Sequence, residues 1–259
     1  MDIVRPTSWD LRAFLRALGA ASIALVVVWL ITATSDEGQV TAASRAERTL
    51  PLAPLCSAVA AALALGTGRV REETRALEAV GRSPSASAIY ALIGAALPSL
   101  IIALLVASFA AIDVGAFYPT TTKADAFQRE SHAFASPTLG VRVADVTGEP
   151  ETIPIQPATD ASLPRGARTS AALATALAGI ALAMMAARAA QSASLLGSVG
   201  RRRRQFFAIA AGATCAVFTV VAFQAAAAGH VPPLLATMPA LILLGVALVG
   251  YRADNACRR

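Results

Sequence analysis

The feature that most constrains this chain is a set of six long apolar runs, at roughly residues 13–34, 50–68, 86–112, 169–190, 206–228 and 231–251. Each is long enough, or nearly so, to cross a hydrocarbon core of about 30 Å as a helix. A bilayer core offers backbone amides no partners, so a spanning segment must close its hydrogen bonds within itself or in a closed barrel. These runs are continuous and do not alternate, which selects helices. Aromatic residues are only 5 % of the chain, too few for the girdles of a barrel. Composition agrees: 56 % of the residues are hydrophobic and 15 % charged, where soluble domains carry about 25 % charge. The expected fold is an all-α integral membrane protein with six transmembrane helices. The second run is the weakest, with Pro51 and Pro54 at its start and Gly66 and Gly68 at its end. Proline is well tolerated in a first helical turn, so the span stands.

The arginines orient the spans. With the N-terminus inside, the inner connections hold 15 of the 22 basic residues and the outer ones hold 7. That bias matches the excess of Lys and Arg on cytoplasmic loops. Both termini are therefore expected in the cytoplasm. The first run has a basic flank and ends in Ala33-Thr34-Ser35, like a signal peptide, but it exceeds the usual apolar length of about 7–15 residues. It is read as a retained span. Residues 1–112 then form spans one to three, with a cytoplasmic helix at 69–82. Residues 113–168 form an extracytoplasmic segment, and residues 169–259 form spans four to six.

The segment 113–168 carries six of the 14 prolines. Strand character is confined to Leu139–Val146, through Val141 and Val143, and to Thr152–Gln156, through Ile153 and Ile155. Fifty-six residues suffice for a small, possibly β-rich cap, since domains this small are marginal alone. Cys56 and Cys215 fall in apolar runs and Cys257 in the tail, so no disulfide framework is implied. His132 and His230 have no metal-ligand spacing with a cysteine. No phosphate-binding Gly-x-x-x-x-Gly-Lys is present, and Lys123 is the only lysine. No cofactor, metal or catalytic residue is expected, and the chain reads as a non-enzyme. Ion-driven carriers usually need ionisable groups within the membrane, and none lies mid-run. Arg201–Arg204 is explained by topological anchoring and anionic head groups, so no nucleic-acid partner is expected. Gln224, in the fifth run, is expected to make an interhelical hydrogen bond.

The most informative stretch is Gly68–Pro84, between spans two and three. Residues 69–80 are good helix formers, with Val70, Leu77 and Val80 near one stripe. Gly81 suits the residue after the helix, where a left-handed backbone is cheap only for glycine. Ser83 suits an N-cap, with Pro84 opening the next helix. Seven charged residues of mixed sign lie within 69–82. A mixed-sign face favours a protein partner over an anionic membrane surface. Such a helix either tidies a hairpin at the interface or couples the membrane part to a soluble partner.

Together, Leu50-Pro51-Leu52-Ala53-Pro54-Leu55, the following hairpin with Glu73, Ala76, Leu77, Ala79, Gly81 and Ser83, and the run His230–Leu241 resemble the LptF/LptG (YjgP/YjgQ) permeases. The layout of three spans, an extracytoplasmic segment and three spans is also similar. The resemblance implies one permease of an ABC-type exporter in the bacterial inner membrane. A second permease subunit and a separate ATPase would be partners, and lipopolysaccharide or another anionic lipid the cargo. It implies an ATPase contact through Glu72, Glu73, Arg75, Leu77, Glu78 and Gly81. Segment 113–168 is far shorter than that family's outer domain. Glu78 replaces the family's usual Arg or Gln, and Asp36 and Glu37 stand where basic residues are common. The rival expectation is a non-transporting membrane scaffold or assembly protein that keeps the permease fold. A mechanotransmission permease of the FtsX/MacB type fits the six-run layout poorly.

Overall fold

The computed structural model describes residues 7–35, 42–118, 128–130, 133–136, 141–144, 150–152, 163–191 and 198–256. The helices are α1 (Ser8–Ser35), α2 (Ala42–Thr49), α3 (Ala53–Gly66), α4 (Gly68–Ala79), α5 (Pro84–Ser108), α6 (Ala167–Gln191), α7 (Ser198–Ala227) and α8 (Met238–Ala256). Short 3₁₀ turns at Leu50–Leu52 and Pro233–Thr237 lead into α3 and α8. Six segments are long and apolar enough to cross a membrane: Ser8–Thr34, Arg45–Gly66, Ser85–Ser108, Ala167–Gln191, Arg203–Ala227 and Pro233–Ala253. They coincide with the six runs, as a multi-pass membrane protein requires.

The helix ends follow their sequence signals. Thr7 and Asp10 form a reciprocal cap: the Thr7 amide donates to Asp10 Oδ2 at 2.8 Å, and the Asp10 amide to Thr7 Oγ1 at 3.4 Å. This Thr-x-x-Asp box starts α1 five residues ahead of the apolar run. Pro51 and Pro54 occupy first-turn positions, where a missing N–H costs nothing. Pro98 lies inside α5, where it cannot donate to the Gly94 carbonyl one turn back.

Four short strands lie between α5 and α6: β1 (Gln128–Glu130), β2 (Ala133–Ser136), β3 (Val141–Ala144) and β4 (Pro150–Thr152). They pair antiparallel in the order β1-β2-β3-β4, with Phe134 opposite Val143 and Arg142 opposite Glu151. Strand β3 falls inside the expected 139–146 stretch. Strand β4 ends where the second expected strand begins, and residues 153–156 lie outside the described residues. Strands β1 and β2 lacked a readable alternation.

The core is built from small side chains. Ala13, Ala17 and Ala21, one helical turn apart, are buried against Ala88, Ala91 and Ala95 of α5 and alanines of α3 and α6. With lipid as apolar as leucine, small residues mark the surfaces where helices approach closely. A Cβ on Gly94 would lie 2.4 Å from the Phe14 carbonyl oxygen, and one on Gly179 2.6 Å from Ser99 Cβ. At the latter crossing the Ser57 and Ser99 hydroxyls hydrogen-bond at 2.7 Å, joining α3 and α5 beside α6. Helix α6 is the hub, packed on α3, α5 and α8. Among the described residues helix α7 packs on α6, α8 and the turn before α8, and through Phe223 on the rings of Phe117 and Tyr118, while most of its large side chains face outward.

Candidate functional site

Two regions carry features beyond packing: the charged corner around α4, and a cavity at the other end of the bundle.

At the corner, α4 ends in a two-bond turn. The Gly81 amide donates to the Glu78 carbonyl at 2.9 Å and the Arg82 amide to the Leu77 carbonyl at 3.0 Å. This Schellman geometry needs a left-handed residue, and Gly81 has φ of +93°. Ser83 Oγ then accepts from the Ala86 amide at 3.2 Å and caps α5. The four residues Val80, Gly81, Arg82 and Ser83 therefore turn the chain from α4 into α5 with each helix end satisfied.

Arg82 fastens this turn to α1. Its guanidinium pairs with Asp10, which has no exposed surface, and donates to Thr7 Oγ1 at 3.2 Å. It also sits 5.7 Å from the centroid of the Trp9 ring. Cation, carboxylate and indole are thus stacked at the start of α1, in a setting where an unpaired charge would be costly. Sequence reading missed this cluster. The Thr-x-x-Asp box before the first run was its only local signal, and the 72-residue separation hides the pairing.

The sequence-expected contact residues divide. Glu73 sits 3.6 Å from Arg16 of α1 and 3.4 Å from Arg69 one turn earlier, so its carboxylate is engaged within the chain. Leu77 and Glu78 are half-buried, whereas Glu72, Arg75 and Gly81 are exposed. The inner stripe of α4 is Val70 and Thr74, with the Thr74 hydroxyl bonded to the Val70 carbonyl at 2.8 Å. Val80 does not join it: as the C-cap residue it is 88 % exposed. The outward face of α4 is therefore Glu72, Arg75, Ala76, Ala79 and Val80, a mixed-sign surface with an apolar tip.

At the opposite end, Arg168 of α6 closes the last turn of α5. It donates to the carbonyls of Val106 at 3.1 Å, Ala110 at 2.8 Å, Ile112 at 3.0 Å and also Phe109. These include carbonyls that a helix end leaves without amide partners. The buried Tyr118 hydroxyl bonds Ser170 and donates to the Ala167 carbonyl at 3.3 Å. Burial pushes its pKa above the ordinary phenol value, against the opposing pull of the Ser170 bond. Tyr118 meets Phe223 of α7 edge-on, with centroids 5.0 Å apart.

Below these rings lies a cavity of about 300 Å³ between α3, α6 and α7. Its walls include Leu55, Phe117, Ala178, Gly212, Ala216 and Phe223. This is the lower end of the usual range for ligand pockets, about 300–1,000 Å³. Gln224 lies exposed one turn from the end of α7, not deep in a helix interface as expected. Asp36, Glu37, Lys123, His132 and Cys257 lie outside the described residues. Among the described residues no group of three His, Cys, Asp or Glu is arranged to hold a metal ion.

The model of a PdeA-like PAS domain matches residues 10–92 of this chain. No curated protein and no solved structure matches. The matched residues run from α1 into α5 and, where described, form helices and turns only. This finding overturns the resemblance to the LptF/LptG permeases. The family match across the hairpin is a different one, and no relative supports the permease assignment. The shared residues have a simpler physical origin. Gly81 and Ser83 are what any tight helix-to-helix turn needs, and Pro232, Pro233 and Pro239 frame a 3₁₀ entry into α8.

Proposed function

We propose that this chain is the membrane subunit of a lipid exporter in a bacterial inner membrane, powered by a separate ATPase that docks on α4. The carrying observation is mechanical. Helix α4 presents an outward mixed-sign face, while Glu73 on its other side pairs with Arg16 of α1, and Arg82, in the turn that follows α4, pairs with Asp10. A push on α4 would pass through these ion pairs into α1 and, through the short turn at Gly81, into α5. Such a link needs rigid elements joined by contacts of definite geometry. With both termini inside, as the arginine bias suggests, α4 lies in the cytoplasm, where ATP is available. The apolar cavity supports a lipid as cargo.

The docking residues in this reading are Glu72 and Arg75, whose side chains are exposed, while Glu73 is a transmission residue. The test is recovery of the tagged full chain in mild detergent. A stoichiometric ATPase is expected with the wild type, and its recovery should fall roughly tenfold, or about 1.4 kcal/mol, with the double reversal Glu72→Arg, Arg75→Glu. Recovery of the wild-type chain without any ATPase, even after cross-linking at α4, would overturn the proposal in favour of a scaffold.

A further inference from the structure

We propose that the cavity between α3, α6 and α7 binds a single lipid acyl chain, entering sideways between α3 and α7. The inference rests on the membrane-spanning, lipid-handling reading above and names the site and the part of the lipid it takes.

The lining chemistry disfavours a polar ligand. Only Thr175, Thr219 and Cys215 bring side-chain polar atoms to the walls. The Thr175 hydroxyl donates to the Ala171 carbonyl at 2.8 Å, and the Thr219 hydroxyl to the Cys215 carbonyl at 2.7 Å. Neither proton is left for a ligand. Water is disfavoured on the same ground, since a buried water typically makes about three hydrogen bonds.

A flexible hydrocarbon chain suits both the cavity's volume of about 300 Å³ and its apolar walls.

The position supplies the occupant. Leu52, Leu55, Ala116, Ala216 and Val220 line the cavity and remain exposed, so they form its rim. Leu52, Leu55, Ala216 and Val220 belong to segments long and apolar enough to cross a membrane, so in a bilayer this rim would meet hydrocarbon. Ala174, Ala178, Gly212 and Ala216 are the kind of residues that usually let helices touch, yet here they stand around a void. A void leaves its walls without dispersion partners, and an acyl chain restores them.

The test uses the full chain in nanodiscs of phosphatidylethanolamine and phosphatidylglycerol. One arm carries phosphatidylglycerol with a diazirine in its acyl chain, and the other carries diazirine-palmitate. After irradiation, labelling is expected to concentrate on Ala178, Cys215 and Thr219 above the level at Ile23 and Ile242, which face outward from α1 and α8. In Ala178→Phe and Ala216→Phe, which fill the cavity from opposite walls, labelling there should fall roughly tenfold, or about 1.4 kcal/mol. Labelling at Ile23 should persist, which reports that the variants are folded and inserted. Labelling by either lipid source supports the site and tells phospholipid from free fatty acid. Cavity labelling no higher than at Ile23, or unchanged in both filled variants, overturns it. ATPase recovery separates the two proposals: labelling without an ATPase keeps the site and removes the exporter, and an ATPase without labelling does the reverse.

Discussion

Helices α6 and α7 are both alanine-rich and both long enough to span a membrane, yet the fold treats them oppositely. In the most apolar stretch of α6, 67 % of residues are buried, and in that of α7 only 11 %. Hydrophobicity does not separate them. Side-chain size separates them in the main: the buried residues of α6 are mostly Ala, Gly, Ser and Thr, joined by Leu182, Met184 and Met185, whereas α7 carries Phe206, Phe207, Val217, Phe218, Val220 and Val221 outward. In lipid there is no hydrophobic gain from helix contact, so close approach of small residues and a few polar links set which helix is inside. The side of the bundle built on α3, α5 and α6 is accordingly tight, with α1, itself as little buried as α7, pinned to it through Asp10 and Arg82, and the α7 side is open. An open side beside a closed one suits a protein that admits a lipid at one face and transmits force at another.

The sharpest way to break this contrast is to remove the strongest pin on the tight side. Arg82→Ala leaves Asp10 buried without its cation. Breaking a buried pair costs about 3–5 kcal/mol. Arg82 keeps 14 % of its side-chain surface, so about 3 kcal/mol is expected. Reversible unfolding in mixed micelles measures it. Asp10→Asn added to Arg82→Ala should recover part of the loss, because the uncompensated charge is gone. Equal stability of the wild type and Arg82→Ala would mean the pin does not hold α1.

Next in size is Gly179→Ala on α6. The new Cβ meets Ser99 Cβ at 2.6 Å, and α6 is enclosed on several sides. Overpacking of this kind typically costs about 1–3 kcal/mol. Ser57→Ala, at the same crossing, should cost about 0.6 kcal/mol, the mean for interhelical hydrogen bonds in membranes. Losses in the reverse order would show the hydroxyl pair, not the close approach, to be what seats α6.

How far the sequence discloses this arrangement depends on whether the signal is local. The six helices were readable because apolar length is a local property. The turn Gly81–Arg82–Ser83–Pro84 was readable because glycine and an N-cap serine have backbone reasons to stand there. Val80 was misread onto the buried stripe because the helix stops one residue earlier, at Ala79. Glu73 was read as a partner contact because Arg16 is distant in sequence, and only the fold brings α1 beside α4. The cluster of Trp9, Arg82 and the buried Asp10 was invisible for the same reason. So was the cavity, which is a gap between three helices and belongs to no single one. The difference between α6 and α7 has no local signal: both runs are rich in alanine, and which neighbours those alanines meet is decided by the whole bundle.

The smallest expected effect is also the one that best sharpens the contrast. Gly212→Ala on α7 is the same change as Gly179→Ala on α6, at a comparable depth of helix. Its Cβ would meet Leu182 Cδ2 at 3.1 Å, the far end of a flexible side chain, with no other heavy atom within 4 Å. A rotamer adjustment of Leu182 absorbs that contact, and the neighbouring cavity gives the side chain room. Against this small crowding stands the gain from replacing a helical glycine, about 0.5–1 kcal/mol. The two nearly offset, so stability should stay within about 0.5 kcal/mol of the wild type, on either side. Unfolding of both alanine variants under one set of conditions reads the difference directly. A loss above about 1 kcal/mol at Gly212, comparable to overpacking of a closed core, would mean that α7 is clamped to α6, and a clamped α7 could not serve as the wall of a lateral entry.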